Sequence, residues 1–156
     1  MKLKDLVSPE AVVCNAEIVS KKRALELLAE LLARQTDPDK SLEIFQRLTE
    51  REKLGSTSLG QGIALPHART ALCDRAVGVF IRTKNGIDFD SPDRQSTDLL
   101  FALMVPEHYT DEHLNILAGL AEMFSDEDFC RELRSADTDA ELYHQLISWD
   151  LTTQTS

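Results

Sequence analysis

Four histidines, His67, His108, His113 and His144, are the side chains of this sequence best placed for chemistry near neutral pH. They form no metal-binding pattern. No H-x-x-x-H spacing occurs, and Cys14, Cys73 and Cys130 are scattered without a C-x-x-C pair. His67 differs from the other three in its setting, because it closes the stretch Gly62-Ile63-Ala64-Leu65-Pro66-His67, a short apolar run ended by proline. Just upstream lie Arg51 and a loop-like segment carrying Gly55, Ser56, Thr57, Ser58, Gly60 and Gly62. Backbone N–H groups, hydroxyls and a guanidinium are the donors that an anion requires.

Other glycine-loop chemistries fit less well. Gly55-x4-Gly60 has P-loop spacing, but Gln61-Gly62 stands where Lys-Ser/Thr is needed. Gly60-x-Gly62 begins a dinucleotide fingerprint whose third position falls on Leu65. No G-x-S-x-G is present, so no serine forms a nucleophile elbow. His108 and His144 read as ordinary surface or hydrogen-bonded residues.

His67 and His113 each come soon after an apolar run that reads as a strand. In open α/β sheets, sites gather where connecting loops meet strand ends. The two imidazoles are therefore expected to face each other, with Arg51 beside them. Phosphoryl transfer onto histidine is one chemistry, among several, that suits this set. A neutral imidazole offers a lone pair, and in-line transfer asks the protein mainly for positioning and charge stabilisation. A helix N-terminus at His113 adds partial positive charge, and Pro66 stiffens the approach to His67.

The elements that must position these residues are read from periodicity. Residues 20–35 predict an amphipathic helix with Ser20 as N-cap, and residues 40–52 a second, with Leu42, Phe45 and Leu48 on one face. The glycine-rich segment predicts a loop, and Ile63–Leu65 a short buried strand ending at His67. Alternation over 76–82 predicts a strand, Asn85-Gly86 a turn, and the apolar run 98–105 a central strand covered on both faces. Beyond it, helices are expected over 111–124, 126–135 and 138–148. The first has Thr110 as N-cap and Leu114, Leu117, Ala118, Ala121 and Phe124 on one side; the third opens with Thr138 and Glu141 in capping-box spacing. The tail TTQTS is expected to fray. The fold class is α/β, a mixed β-sheet sandwiched between helical layers, with residues 1–156 as one domain.

Composition narrows the function classes. Apolar residues make up 42% of the 156 and charged residues 28%, the balance of a globular chain. The 27 acidic and 17 basic residues give a net charge of −10, which argues against nucleic acid as a partner and would steer the chain towards a basic protein. No apolar stretch approaches the roughly 20 residues of a membrane span. The N-terminus lacks the apolar core of a secretory signal. Reduced structural thiols in a cytoplasmic protein are the expectation for the cysteines, and neither a cofactor nor a metal is expected.

The stretch from Arg51-Glu52 through Gly55-Ser56-Thr57 to Gly62-Ile63-Ala64-Leu65-Pro66-His67 closely resembles the active-site signature of the fructose/mannitol-type IIA domains of the bacterial phosphotransferase system. SKKRALELL, RAVGVFI, DLLFALMVP and EHLNILAGLAEMF extend the resemblance over nearly the whole chain. SKKRAL, REKLGST and DLLFALMVP look most like the nitrogen-regulatory IIA proteins. The resemblance implies a mixed sheet flanked by helices and a phosphoryl group received from a histidine phosphocarrier protein. It implies His67 as phospho-acceptor through Nε2, His113 as the second active-site histidine, Arg51 as the active-site arginine, and Thr57 as a substrate-binding position in the adjoining loop. Ser58 stands where the family often has glycine. The expected function is a phosphoryl carrier of the nitrogen phosphotransferase system that regulates partner proteins according to its phosphorylation state. The alternatives are a sugar-specific IIA component passing phosphate to a IIB domain, a binding module that is not phosphorylated, and, last, a small metalloprotein.

Overall fold

Strand β6 (Thr97–Pro106) is the axis of the sheet, and every residue from Leu99 to Val105 is buried. The computed structural model describes residues 2–151, so the tail TTQTS and its expected fraying lie outside the described residues. On one side β6 pairs antiparallel with β5 (Val77–Ile87), and β5 pairs parallel with β1 (Val12–Ala16) at the sheet edge. On its other side β6 pairs parallel with two short segments, β3 (Ile63–Ala64) and β4 (His67–Thr70). A three-residue strand, β2 (Ser58–Gly60), pairs antiparallel with β3. The expected α/β mixed sheet is thus present, with six strands among the described residues.

The relation of β3 to β4 corrects the expectation that the strand ends at His67. His67 instead starts a second segment. Ile63 pairs with Leu99, Ala64 with Leu100 and His67 with Leu103, so the register runs through the gap without a slip. Pro66 has no N–H and cannot complete a ladder. Its carbonyl nevertheless accepts from the Leu103 N–H at 2.9 Å and holds the chain in line.

The helices are α1 (Leu3–Leu6), α2 (Lys21–Gln35), α3 (Ser41–Lys53), α4 (Asp111–Ser125), α5 (Glu127–Ser135) and α6 (Asp139–Ile147). Ser20 caps α2 by accepting from the Arg23 N–H, as its sequence predicts, and Leu25, Leu28, Leu31 and Leu32 are buried. Thr138 likewise caps α6 by accepting from the Glu141 N–H, although the Glu141 carboxylate returns to the Asp137 N–H rather than to that of Thr138. Thr110 makes no side-chain cap on α4, whose first turn is held only by backbone.

Two helix faces are rotated from their expected positions. In α3, Ile44 and Leu48 are buried while Leu42 is 66% exposed. In α4, Ile116, Leu120, Met123 and Phe124 are buried while Leu114 is 65% exposed. Each exposed leucine lies two residues before the first buried one, about 200° around the helix. Both helices offered more apolar positions than one core face can hold, and packing chose among them.

The expected turn at Asn85-Gly86 is also corrected. Both residues lie within β5, in an irregular stretch between the Arg82 and Ile87 pairings. Gly86 serves a close approach instead, because a Cβ there would collide with the Ser96 side chain. The reversal comes later, where Asp90 and Arg94 take positive φ. Strands β1 and β4 and helix α1 were not foreseen, since none has a long enough pattern to stand out.

Phe80 of β5, Phe101 of β6 and Phe124 of α4 form an aromatic triangle with ring centroids 5.9–6.2 Å apart. It seals α4 onto one face of the sheet. Arg82, two residues along β5 from Phe80, reaches the same side and donates to the Leu133 carbonyl of α5 at 2.9 Å. Val77, Val79 and Ile81 are buried on the opposite face, and α2 packs against β5 and α3. Central strands buried on both faces hold their register firmly, and that rigidity reaches His67 through β6.

Candidate active site

His67, His113 and Arg51 line one open cleft of about 540 Å³, together with Arg47, Glu50, Leu54, Arg69, Asp111 and Leu114. Three elements meet there. The end of α3 brings Arg51, the start of β4 brings His67 and Arg69, and the first turn of α4 brings Asp111, His113 and Leu114. The His67 and His113 rings sit edge to face, with centroids 5.5 Å apart and planes at 70°.

Both nitrogens of His67 are engaged. Nδ1 lies 2.8 Å from the Leu65 carbonyl oxygen, which can only accept, so Nδ1 carries the proton. The Arg51 Nε–H donates to Nε2 at 3.3 Å, so Nε2 bears the lone pair. Arginine has no acceptor and does not lose its proton in proteins. The two contacts therefore select the same tautomer independently, with Nε2 bare. Arg51 is oriented in turn by its Nη1, which donates to the Gly55 carbonyl at 2.9 Å.

The electrostatics keep the ring neutral. Burial pushes the His67 pKa below its ordinary value; the hydrogen bond to Leu65 raises it, the Arg51 charge lowers it and Glu52 raises it. His113 is also lowered, first by burial and then by His67 and Arg69. Its Nε2 is buried and has no hydrogen-bond partner among the described residues. A buried imidazole nitrogen without a partner is a vacant donor or acceptor beside the His67 ring. Arg69 links β4 to the segment before α4, since its Nη1 donates to the Tyr109 carbonyl at 3.2 Å. Asp111, in the first turn of α4, adds a carboxylate to the lining of the same cleft.

Thr57 does not line the cleft. It is buried, and its hydroxyl and backbone N–H both donate to the Glu52 carboxylate. Glu52, one residue after Arg51, points to the other side of α3, where Lys21 pairs with it at 2.9 Å. Neither Glu52 nor Lys21 stands out as a site residue from the sequence alone. Their signal was available only as a buried carboxylate beside a candidate arginine, and burial is not visible before folding. Leu54, 85% exposed at the cleft rim, was missed for the same reason.

The loop before His67 combines strand with strain. Gly55, Gly60 and Gly62 have positive φ, as does Gln61. Ser58–Gly60 nonetheless joins the sheet as β2, where only loop was expected. Gly62 has φ +85°, and a Cβ there would displace Arg134 Nη2, at 2.5 Å, and Asp98 Oδ1, at 2.8 Å. Arg134 and Asp98 form a two-bonded ion pair at 2.9 Å over this loop, and Arg134 also donates to the Gln61 carbonyl. Among the described residues, no cluster of three or more His, Cys, Asp or Glu side chains is arranged for a metal ion. No described helix is long and apolar enough to cross a membrane.

Comparison with known proteins shows the family and the fold. Residues 5–149 match the family described as the phosphoenolpyruvate-dependent sugar phosphotransferase system, EIIA 2. The chain is 42% identical to a nitrogen regulatory protein of Klebsiella oxytoca, over 92% of this chain and 88% of that one. It is 40% identical to the nitrogen regulatory protein of Pseudomonas aeruginosa, over 94% and 95% of the two chains. Among solved structures it superposes on the nitrogen regulatory protein IIA-Ntr of Neisseria meningitidis with a TM-score of 0.86 and 39% identity, covering 92% of this chain and 98% of that one.

Proposed function

The chain belongs to the EIIA 2 family of the phosphoenolpyruvate-dependent phosphotransferase system, and from that premise we propose that it is a nitrogen-regulatory phosphohistidine carrier acting through His67. Family membership makes it a phosphotransferase-system component of the IIA type. The finer reading rests on one observation, the bare Nε2 of His67 set between Arg51 and the Leu65 carbonyl.

A phosphorylated imidazole on a histidine phosphocarrier protein is the donor. Its P–N bond breaks as the Nε2–P bond forms, and the electron pair returns to the donor ring. No proton has to move. The proton stays on Nδ1 of His67, which donates it to the Leu65 carbonyl, and the carbonyl dipole stabilises the positive charge the ring acquires. Arg51 exchanges Nε2 for a phosphoryl oxygen, and His113, in its Nε2–H form, supplies a second donor. Preorganised donors aimed at developing charge are the main contribution a protein makes to this transfer.

The phosphoryl group then places a charge of about −1.5 to −2 in a cleft rimmed by the exposed Leu54 and Leu114. A partner docking on that rim meets a different surface in each state, so the phosphorylation state selects the partner. The similarity to proteins named nitrogen regulatory protein supports this regulatory reading. The test is incubation with phosphoenolpyruvate, enzyme I and phosphocarrier. The expected result is an acid-labile phosphohistidine that is absent from His67→Ala. Labelling that persists in His67→Ala would overturn the assignment.

A further inference from the structure

We propose that Glu52 is a positioning residue that decides which nitrogen of His67 is nucleophilic, acting through Thr57 on both hydrogen bonds of the ring, with Lys21 as its counter-ion. The proposal deepens the carrier reading and rests on it for the role of His67. Glu52 is only 7% exposed. Its carboxylate accepts from the Thr57 N–H at 3.0 Å, from the Thr57 hydroxyl and from Lys21 Nζ at 2.9 Å. Lys21 is itself braced, paired with Asp90 at 2.9 Å and lying 4.8 Å above the centre of the Phe89 ring.

Two paths lead from Thr57 to His67. Along the first, the Thr57 carbonyl accepts from the Leu65 N–H at 3.0 Å, and the Leu65 carbonyl accepts from His67 Nδ1 at 2.8 Å. Along the second, Thr57 fixes the loop two residues after Gly55. The Gly55 carbonyl holds Arg51 Nη1 at 2.9 Å, and Arg51 Nε meets His67 Nε2 at 3.3 Å. One buried carboxylate therefore stands behind the acceptor on one ring nitrogen and the donor on the other. The tautomer of a histidine is set by the partners of its two nitrogens, so displacing Thr57 loosens both restraints at once.

The reason for a glutamate at this position is reach and valence. Its two oxygens satisfy three donors from two separate segments, 21 and 57, while it sits on a third, the last turn of α3. Arg51 and Glu52 are neighbours on a helix and diverge by about 100°. One faces the cleft while the other ties down the loop that Arg51 grips.

The experiment is a long-range proton–nitrogen NMR spectrum of the full ¹⁵N-labelled chain, which distinguishes the two neutral tautomers, paired with the rate of phosphoryl acceptance. His67 is assigned by comparison with His67→Gln. The wild type is expected to show Nδ1 protonated and Nε2 bare. Glu52→Ala is expected to show a mixture of tautomers and to accept phosphate about 10–100-fold more slowly, the loss seen when the hydrogen-bond partner that orients a metal-binding histidine is removed. Glu52→Gln keeps a neutral acceptor for Thr57 and is expected to restore the wild-type tautomer and most of the rate. Should Glu52→Ala not fold, Thr57→Val removes the hydroxyl contact alone and is expected to shift the tautomer in the same direction. An unmixed Nδ1–H tautomer in whichever of these two variants is folded overturns the proposal. The tautomer is read without any phosphoryl donor. A wild-type chain that is not phosphorylated but whose tautomer depends on Glu52 would therefore sink the carrier reading and leave this one standing.

Discussion

The Arg51 guanidinium donates through Nε to Nε2 of His67 at 3.3 Å, while its Nη1 reaches back to the Gly55 carbonyl at the end of its own helix. The arginine thus touches the atom proposed to form the new bond, and its own direction is fixed by backbone. In the proposed transfer it covers the lone pair beforehand and then donates to a phosphoryl oxygen.

Replacing Arg51 with alanine removes the charge and the fork together. Phosphoryl acceptance is expected to fall about 10²–10³-fold, the loss typical of deleting one preorganised donor. Arg51→Lys should recover only part of it, because a point charge on a flexible stem cannot serve Gly55 and His67 together. Single-turnover labelling with phosphorylated carrier is the measurement. An Arg51→Lys variant as fast as wild type would show that charge alone is sufficient.

The pKa values of His67 and His113 are both expected below the ordinary value of 6.5, with burial the leading cause in each. A histidine with a lowered folded pKa binds fewer protons when folded than when unfolded. Its protonation therefore opposes folding, and stability should rise with pH from the folded pKa up to 6.5. In the same window His67 stays neutral and nucleophilic, so the acid limb of phosphoryl acceptance should lie below pH 6.5. Proton NMR titration of the two rings, compared with urea unfolding across that range, checks both expectations.

Gly62→Ala should destabilise the fold by about 1–3 kcal/mol, the usual cost of a strained backbone position. Here φ is +85° and the added methyl meets the Arg134–Asp98 ion pair. The strain falls five residues before His67, so transfer is also expected to slow. Urea denaturation of the folded variant provides the stability measurement. A change within about 0.5 kcal/mol, the range of an ordinary surface substitution, would show that neither the backbone angle nor the ion pair resists the methyl.

Leu54→Asp and Leu114→Asp test the rim. Both side chains are exposed, at 85% and 65%, so neither substitution should change the unfolding midpoint appreciably. Each is expected to raise the apparent KM for the phosphocarrier while leaving kcat close to wild type. That split separates loss of docking from damage at His67.

The resemblance carried by Arg51-Glu52 to His67 brought the correct family and fold into view because glycine, proline and histidine at fixed spacing describe a backbone path as well as a set of side chains. The long apolar run of β6 and the amphipathic pattern of α2 were equally legible, since each satisfies a single strong periodicity. Leu42 and Leu114 misled for the opposite reason. Their helices carry apolar residues on more than one side, and only contact with the sheet selects Ile44 and Ile116 for burial. Gly86 misled because glycine serves both turns and close approaches, and the position of Ser96 was unknown.

The sequence by itself determined the local devices of this protein: where α2 and α6 start, which strand is buried on both faces, and that His67 follows a rigid proline. The tertiary structure decided everything that depends on distance between segments. It brought His113 of α4 to His67 of β4, with ring centroids 5.5 Å apart. It turned Thr57 inward to a buried Glu52 and chose the tautomer of His67. Periodicity and capping act within one or two turns of chain. A tautomer is set by partners from Leu65 and Arg51, which meet only after α3 has folded against the sheet.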